Sequence, residues 1–553
     1  MSKRNKTLFF PLAILSFVAV GLIIFLIVSV YDYFYGMKHV KSDETAPAVI
    51  ENEYNVVYKG AYYGKALDID GVIYINMDVI NEDWALNMLF YADDLDSILY
   101  TTETEKDSWE VGGDVFKLID GVFYMRLAEI QEMFGTQLKI NSDENIIMIR
   151  NPEGTVAEVM KSGVYLLTEP NSEDLYYTEK LKRGETLEVY DCDTEGFYYA
   201  VDLYGHMGYL DASAVETDDG TLSRKEPLHL DMSDSKLNAN HVSLVFKQFY
   251  SKDYDYDAGD LADLEDFSYY LNVVCPTYFK LQKNGSVKSI ANAKYVEDAR
   301  YEGCQVWGLF DNQFDDELTL ECLKNSYTRE RICESLLKLC QEYNLHGINV
   351  DFEAISAETE YYYCQFLREL GMTIRPEGYL LSVDIPVPSE WSDFYQRSAY
   401  SDICDYVIVM AYDEHYDGSD AGSTSSYKFS YNAVKDSLAA GIDKDKLLLG
   451  LPWYTRVWQT DDYGNLSSYA ASMDEVEYLI AYYGLDQRYD EETHQNYAEG
   501  YIDGVFTRIW IEDMTSLEWR FGIMDEFDIE GIAAWSFGFE NYGTYLAYQK
   551  RFY

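Results

Sequence analysis

Positive charge is scarce in this chain. Its 553 residues include 43 Lys and Arg against 97 Asp and Glu, a formal charge of −54. A phosphate backbone needs a basic surface, so nucleic acid is excluded as a partner. The eight cysteines, Cys192, Cys275, Cys304, Cys322, Cys333, Cys340, Cys364 and Cys404, form no Cys-x-x-Cys pair. Without that spacing, and with no second His beside His346, neither a zinc site nor any other metal or cofactor is expected. Cys275 and Cys304 fall in apolar runs and Cys333 and Cys340 on one helical stretch. Buried free thiols are therefore expected, even in an exported chain where disulfides could form. No glycine-rich phosphate loop follows the first strand of the C-terminal half, which disfavours a doubly wound nucleotide-binding sheet.

What is present divides the chain. Residues 8–30 carry no charge over 23 positions, enough to cross a bilayer, and Lys3, Arg4 and Lys6 precede them. The run is too long for a cleaved leader, so residues 1–30 read as a cytoplasmic tip and an uncleaved membrane anchor. A cell-membrane location follows, with everything beyond about residue 31 outside the cell. A polar linker, 31–54, leads to a segment, 55–151, that holds a weak repeat: "DGVIYIN" at Asp70 and "DGVFYMR" at Asp120. Each copy is followed by a helix-like stretch and an apolar strand, as in a duplicated α+β unit. Residues 152–220 show short alternating strands and turns, the pattern of a small β-barrel.

From 225 to 553 short apolar strands alternate with helical stretches. Eight candidates occur, at 241–249, 271–279, 304–312, 347–353, 379–388, 406–415, 447–458 and 531–540. Between the third and fourth, Ile332, Leu336, Leu339 and Tyr343 repeat at helical spacing, with Ser326 as the expected cap. Eight such units point to a (β/α)8 TIM barrel that holds all its strands within 225–553. Within the fourth strand, "HGINVDFE" places Asn349, Asp351 and Glu353 on one face. Burying unpaired carboxylates costs several kcal/mol. Strand alternation sends Ile348, Val350 and Phe352 to the helices and the polar trio inward, toward the C-terminal mouth where sites on this fold lie.

These residues resemble the signature of glycoside hydrolase family 18, Asp-Gly-x-Asp-x-Asp-x-Glu on the fourth strand. "MAYDEH" (410–415) is similar to its sixth-strand element, and "AAWSFG" holds Trp535 where the family has an eighth-strand Trp. The branch containing spore-cortex N-acetylglucosaminidases is the most alike, since Asn349 and "YDEH" are usual there. His346 and Asn349 stand where the broader family has Asp. His346, at the strand entrance, reads as structural. The resemblance implies substrate-assisted hydrolysis, in which the 2-acetamido oxygen of the sugar is the nucleophile. Glu353 is then acid and base, with its pKa raised by Asp351; Asp351 orients the acetamido N–H, and Tyr412 binds the acetamido oxygen. Asn349, Met410, Asp413, Tyr454 and Trp535 are the expected substrate-binding residues, with Trp453 a further candidate for the rim. Residues 55–151 resemble the stalk domain related to the N-terminal region of copper amine oxidases, without copper ligands. Residues 152–220 resemble bacterial Src-homology-3-like modules of wall enzymes, which implies contact with peptidoglycan peptides. The expectation is a membrane-anchored hydrolase of N-acetylglucosamine polymers, peptidoglycan first and chitin-like glycans second. The alternatives are a non-catalytic glycan-binding protein on the same barrel and a purely structural envelope protein.

Overall fold

The structure, a computed structural model, describes residues 38–40, 46–49, 52–81, 88–151, 154–171, 176–218, 229–237, 241–251 and 270–552. The apolar run 8–30, and the anchor expected there, lie outside these residues. Among the described residues no helix is long and apolar enough to cross a membrane. Two compact units are present: residues 1–89 with 109–226, and residues 90–108 with 227–553.

The first unit contains two large sheets. In a seven-stranded sheet, the Asp70–Gly71 and Asp120–Gly121 pairs turn the hairpins Ala61–Ile69/Val72–Asn76 and Phe116–Ile119/Val122–Arg126. All four turn residues have positive φ, the two-residue hairpin geometry that Asp-Gly favours. A helix follows each hairpin, Met77–Asn81 and Leu127–Phe134, so the repeat holds for hairpin and helix; the apolar strands that follow differ, Ile146–Ile149 joining the same seven-stranded sheet and Ser97–Thr101 a three-stranded sheet. In the other sheet, of eight strands, the strands between Thr155 and Asp218 enclose a small core of Ala157, Leu166, Leu187, Val189, Ala200 and Leu210.

The second unit is a parallel barrel. Its strands are β1 (Val242–Lys247), β2 (Val273–Pro276), β3 (Gln305–Asp311), β4 (Gly347–Asp351), β5 (Leu380–Pro386), β6 (Tyr406–Met410), β7 (Leu447–Pro452) and β8 (Gly531–Trp535). Each pairs in parallel with its neighbours, and β8 closes on β1. All eight lie within the expected segments, but they are shorter. The run 447–458 splits: Leu447–Pro452 stays in the barrel, and Thr455–Thr460 joins a separate five-stranded sheet inserted before β8. Inside the barrel, Phe246, Trp307, Leu380, Tyr406, Ile408 and Leu448 pack together, with Trp307 stacked on Tyr406 at 5.1 Å. Met232, from the segment before β1, joins this interior cluster. Ile348, Val350 and Phe352 face the helix layer, as strand alternation requires. Gly347 is needed at the start of β4, because a Cβ there would lie 2.4 Å from the Leu380 carbonyl oxygen.

Residues 90–108 fall inside the repeat segment of the sequence, yet they pack within the barrel unit. Phe90, 4% exposed, stacks on Tyr361 at 4.6 Å, and the Arg329 guanidinium lies 5.1 Å from its ring centre. Leu99 joins the same core. Lys106 binds Glu369 at 2.9 Å, and Glu369 also accepts from Arg329 at 2.9 Å. Asp94 accepts from the backbone N–H and the hydroxyl of Ser326 at 2.8 and 2.9 Å. This corrects the capping expectation: the N-cap of helix Ser326–Tyr343 is Asn325, whose side chain accepts from the Thr328 N–H. The buried face of that helix is Ile332, Cys333, Leu336 and Cys340, rotated from the expected stripe, with Leu339 and Tyr343 only partly covered. All eight cysteines are free, and seven are buried.

Candidate active site

At the C-terminal ends of the barrel strands lies a cavity of about 630 Å³. Asp351, Glu353, Asp384, Met410, Tyr412, Asp413, Tyr454 and Trp535 are among its walls. Asp351 is the last residue of β4, and Glu353 lies two residues on, just past the strand. Its position is fixed through the main chain. The Glu353 N–H donates to Asn312 Oδ1 at 3.1 Å, and Asn312 Nδ2 donates back to the Glu353 carbonyl at 2.8 Å. Asn312 is itself buried and donates to Thr319 at 3.0 Å, so the carboxylic acid side chain is left free while its backbone is clamped. Ala354 then takes a left-handed φ of 55°, which turns the chain away from the mouth.

Burial pushes the Glu353 pKa up to about 7, with the Asp413 and Asp311 charges adding to it. Asp351 contributes less to Glu353 than the sequence suggested. Its own pKa is driven well up by burial, then by Glu353, Asp384 and Asp311. Asp351 Oδ1 is sealed from water with no hydrogen-bond partner. Tyr412 also has its pKa raised, by burial first and then by Asp384, Asp351 and Glu353, and is a neutral donor at any physiological pH. Its ring has room because β7 carries Gly450, where a Cβ would sit 3.3 Å from Tyr412 Cε1 and 2.7 Å from the Val409 carbonyl oxygen.

Tyr454 donates to Asp413 Oδ1 at 2.6 Å, and Arg456 approaches the same oxygen at 3.5 Å. Trp535, half-buried at the end of β8, lies 5.4 Å from the Phe246 ring. Two expectations change. Asn349 is fully buried and is not part of the cavity wall; its amide donates to Ser382 Oγ at 3.0 Å and to Asp384 Oδ1 at 2.9 Å. Its reach is to a carboxylate of β5, because it sits one strand-repeat deeper than Asp351. Trp453 is also fully buried, edge-on to Tyr548 at 5.6 Å, since alternation on leaving β7 turns it to the helix layer. His346 accepts from the Val306 N–H at 2.9 Å and lies against Arg300, and burial with that cation lowers its pKa to about 4. It is a neutral, structural histidine.

Sequence reasoning missed three charged groups of the wall: Asp311, its partner Lys280 at 3.6 Å, and Asp384. The two acids were signalled in the same way as Asp351. In "VWGLFDN" and "LLSVDIPVP" an acid occupies an inward position of an otherwise apolar strand. Among the described residues no group of His, Cys, Asp and Glu could hold a metal ion.

Known proteins share this architecture. The uncharacterized glycosylase YvbX of Bacillus subtilis is 24% identical over 315 residues, covering 53% of this chain and 90% of its own. The cortical fragment-lytic enzyme of Bacillus anthracis is 25% identical over 279 residues, 47% of this chain and 63% of that enzyme. The crystal structure of the Bacillus cereus spore cortex-lytic enzyme SleL superposes with a TM-score of 0.53 at 21% identity, covering 57% of this chain and 75% of SleL. A chitinase from Chromobacterium violaceum gives 0.51 at 21% identity, over 56% of this chain and 98% of the chitinase. These superpositions show the shared fold. The sequence model of glycosyl hydrolases family 18 matches residues 245–540, more than half the chain and every barrel strand from within β1 to β8. With its catalytic-type carboxylates gathered in the mouth of that barrel, the chain belongs to glycosyl hydrolases family 18.

Proposed function

We propose that this glycosidase cleaves β-linked N-acetylglucosamine polymers, peptidoglycan before chitin, by substrate-assisted retaining hydrolysis at the outer face of a cell membrane. The observation that carries the reaction is the pairing of Glu353, poised near pH 7, with Asp351 on the same edge of the cavity. Two carboxyl groups on one strand end cannot flank a sugar ring as acid and nucleophile, which would need them across the ring at roughly 5–5.5 Å. The substrate's acetamido oxygen attacks the anomeric carbon instead. Glu353 gives its proton to the leaving oxygen, then takes one from water as that water opens the oxazolinium ion. Asp351 holds the acetamido N–H and faces the cation. Tyr412 donates to the acetamido oxygen and aims it; Trp535, Met410, Asp413 and Tyr454 shape the pocket around the sugar.

The preference for peptidoglycan draws on the similarity to cortical fragment-lytic enzymes and on the resemblance of residues 152–220 to Src-homology-3-like modules of wall enzymes. The uncharged run 8–30 supports anchoring, and residues 55–151 apart from 90–108 then serve as a stalk. Digestion of purified peptidoglycan and of chitin by the full-length protein, with products identified by mass spectrometry, tests the substrate. Release of N-acetylglucosamine-ended fragments from peptidoglycan is expected. Failure on both polymers would remove the reading. Efficient cutting at a de-N-acetylated glucosamine, or a sugar trapped on a protein carboxylate, would remove the mechanism.

A further inference from the structure

Asp384 is a buried carboxylic acid without a role in the reaction as described, 2% exposed and at the edge of the substrate cavity. It stands beside Asp351 by strand register. Asn349 pairs with Ser382 and Val350 with Val383, so the next inward positions on β4 and β5 are Asp351 and Asp384. On the other side of Asp351, Asp311 of β3 is its direct register partner. Three acids thus lie in a row across three adjacent strands, and they differ in what holds them. Asp311 has Lys280. Asp384 has the Asn349 amide, which donates to Oδ1 at 2.9 Å and is anchored on Ser382. Asp351 Oδ1 has no donor, and neither does Asn349 Oδ1 just below it. The other titratable groups facing this row are Cys275, Glu353 and Tyr412.

Two neighbouring buried carboxyls do not both ionise; they share a charge. The amide donor selects Asp384 as the site of that charge while the cavity is empty. The mechanism needs the charge on Asp351, against the oxazolinium cation. We propose that Asp384 is a positioning residue that stores this charge: when the substrate acetamido N–H engages Asp351, one proton passes from the Asp351 carboxyl to the Asp384 carboxylate. An O–H bond on Asp351 breaks and one on Asp384 forms. The pair keeps a single negative charge throughout, so no ion is taken from or lost to water during the turnover. Burial drives both acids well above the ordinary carboxylate range; the Asn349 amide works against that rise at Asp384 alone, and the Asp384 charge adds to it at Asp351.

This inference rests on the substrate-assisted reading above, and full-length Glu353→Gln serves as the control that separates the two. With a nitrophenyl N-acetyl-chitooligosaccharide as probe, Asp384→Asn is expected to lower kcat by roughly 10²-fold, the scale of one mispositioned proton. KM and thermal stability should stay close to those of the parent. The exchange variant Asn349→Asp/Asp384→Asn returns a carboxyl to the neighbourhood of Asp351 from strand β4 and should regain most of the lost kcat. In the unaltered protein at neutral pH, infrared spectra should contain a protonated-carboxyl band that shifts when a thiazoline mimic of the oxazolinium ion binds. Parent-like kcat in Asp384→Asn would overturn the proposal. So would a loss of kcat matched by a loss of folded protein, an exchange variant that regains nothing, or a carboxyl band that ignores the mimic. If the parent cuts the probe and Glu353→Gln does not while Asp384→Asn is normal, only the role of Asp384 falls. If the parent itself does not cut, the substrate reading falls.

Discussion

Phe90→Ala, far from the cavity, should weaken the hydrolase unit. Phe90 comes from a region that sequence places in the repeat, yet its ring is buried among Tyr361, Tyr362 and Arg329. Truncating a buried Phe costs about 3–5 kcal/mol through lost transfer energy and the cavity left behind. In a unit this large each kcal/mol lowers Tm by roughly 2 °C, so the transition should fall by about 6–10 °C. Scanning calorimetry of the full-length protein measures it, and residual glycosidase activity after heating assigns the transition to the barrel. Below that temperature kcat should be unchanged. Removing the whole segment is harsher: loss of Phe90 and Leu99 together removes about 5–10 kcal/mol, against a domain stability of about 5–15 kcal/mol. A fragment spanning 225–553 holds all eight strands but lacks this segment. It is expected to be aggregation-prone or to melt far below the parent, and added peptide 88–110 should partly restore it. An unchanged Tm in Phe90→Ala, or a fragment as stable as the parent, would show that these contacts contribute nothing to the folded state.

Glu353→Gln should abolish hydrolysis while sugar binding, read by calorimetric titration, survives. The same variant should gain stability at alkaline pH. Glu353 is raised in the folded protein from its ordinary 4.5 to about 7, so its neutral form favours folding below pH 4.5 and that contribution is lost as pH rises through 7. The gap is worth about 3 kcal/mol, and the Tm difference between Gln and Glu forms should be larger at about pH 8 than at about pH 5. With Glu353 as the acid, kcat/KM should decline above roughly pH 7, and a profile still rising at pH 9 would assign the acid elsewhere. Asp351→Asn should weaken both turnover and inhibition by a thiazoline mimic, because it removes the negative partner of the cation. Asp94→Ala should lower stability by about 1 kcal/mol, since it strips an anion from the N-terminus of helix Ser326–Tyr343.

The barrel and the two carboxylates were legible because they follow local periodicity. Strands of four to seven residues flanked by turns repeat eight times, and a polar trio at period two in an apolar run has few structural explanations. Strand ends were less legible. Nothing in "LLLGLPWYTRVW" marks the point after Pro452 where the chain leaves one sheet for another, because both halves are apolar and β-prone. The helix stripe of Ser326–Tyr343 was misjudged by the space cysteines fill: Cys333 and Cys340 take core positions that a reading based on aliphatic residues passes over. Asp311 and Asp384 escaped notice because each stands alone in its strand, whereas Asp351 has company. Residues 90–108 could not be placed from sequence at all. Their partners, Tyr361, Gln365 and Glu369, lie more than 260 positions away, and no local pattern encodes such a contact.

That segment also changes what a proteolytic cut can accomplish. The chain passes between the two units three times, near residues 89, 108 and 226. A single nick between Asp218 and His229 would sever only one of these passages. The catalytic barrel would remain fastened to the N-terminal unit by a small three-stranded sheet whose side chains are part of its own core. Separating the hydrolase unit from the N-terminal unit therefore requires two further cuts or the extraction of Phe90 and Leu99 from the barrel. The architecture keeps the two units together after one of their three connections has been cleaved.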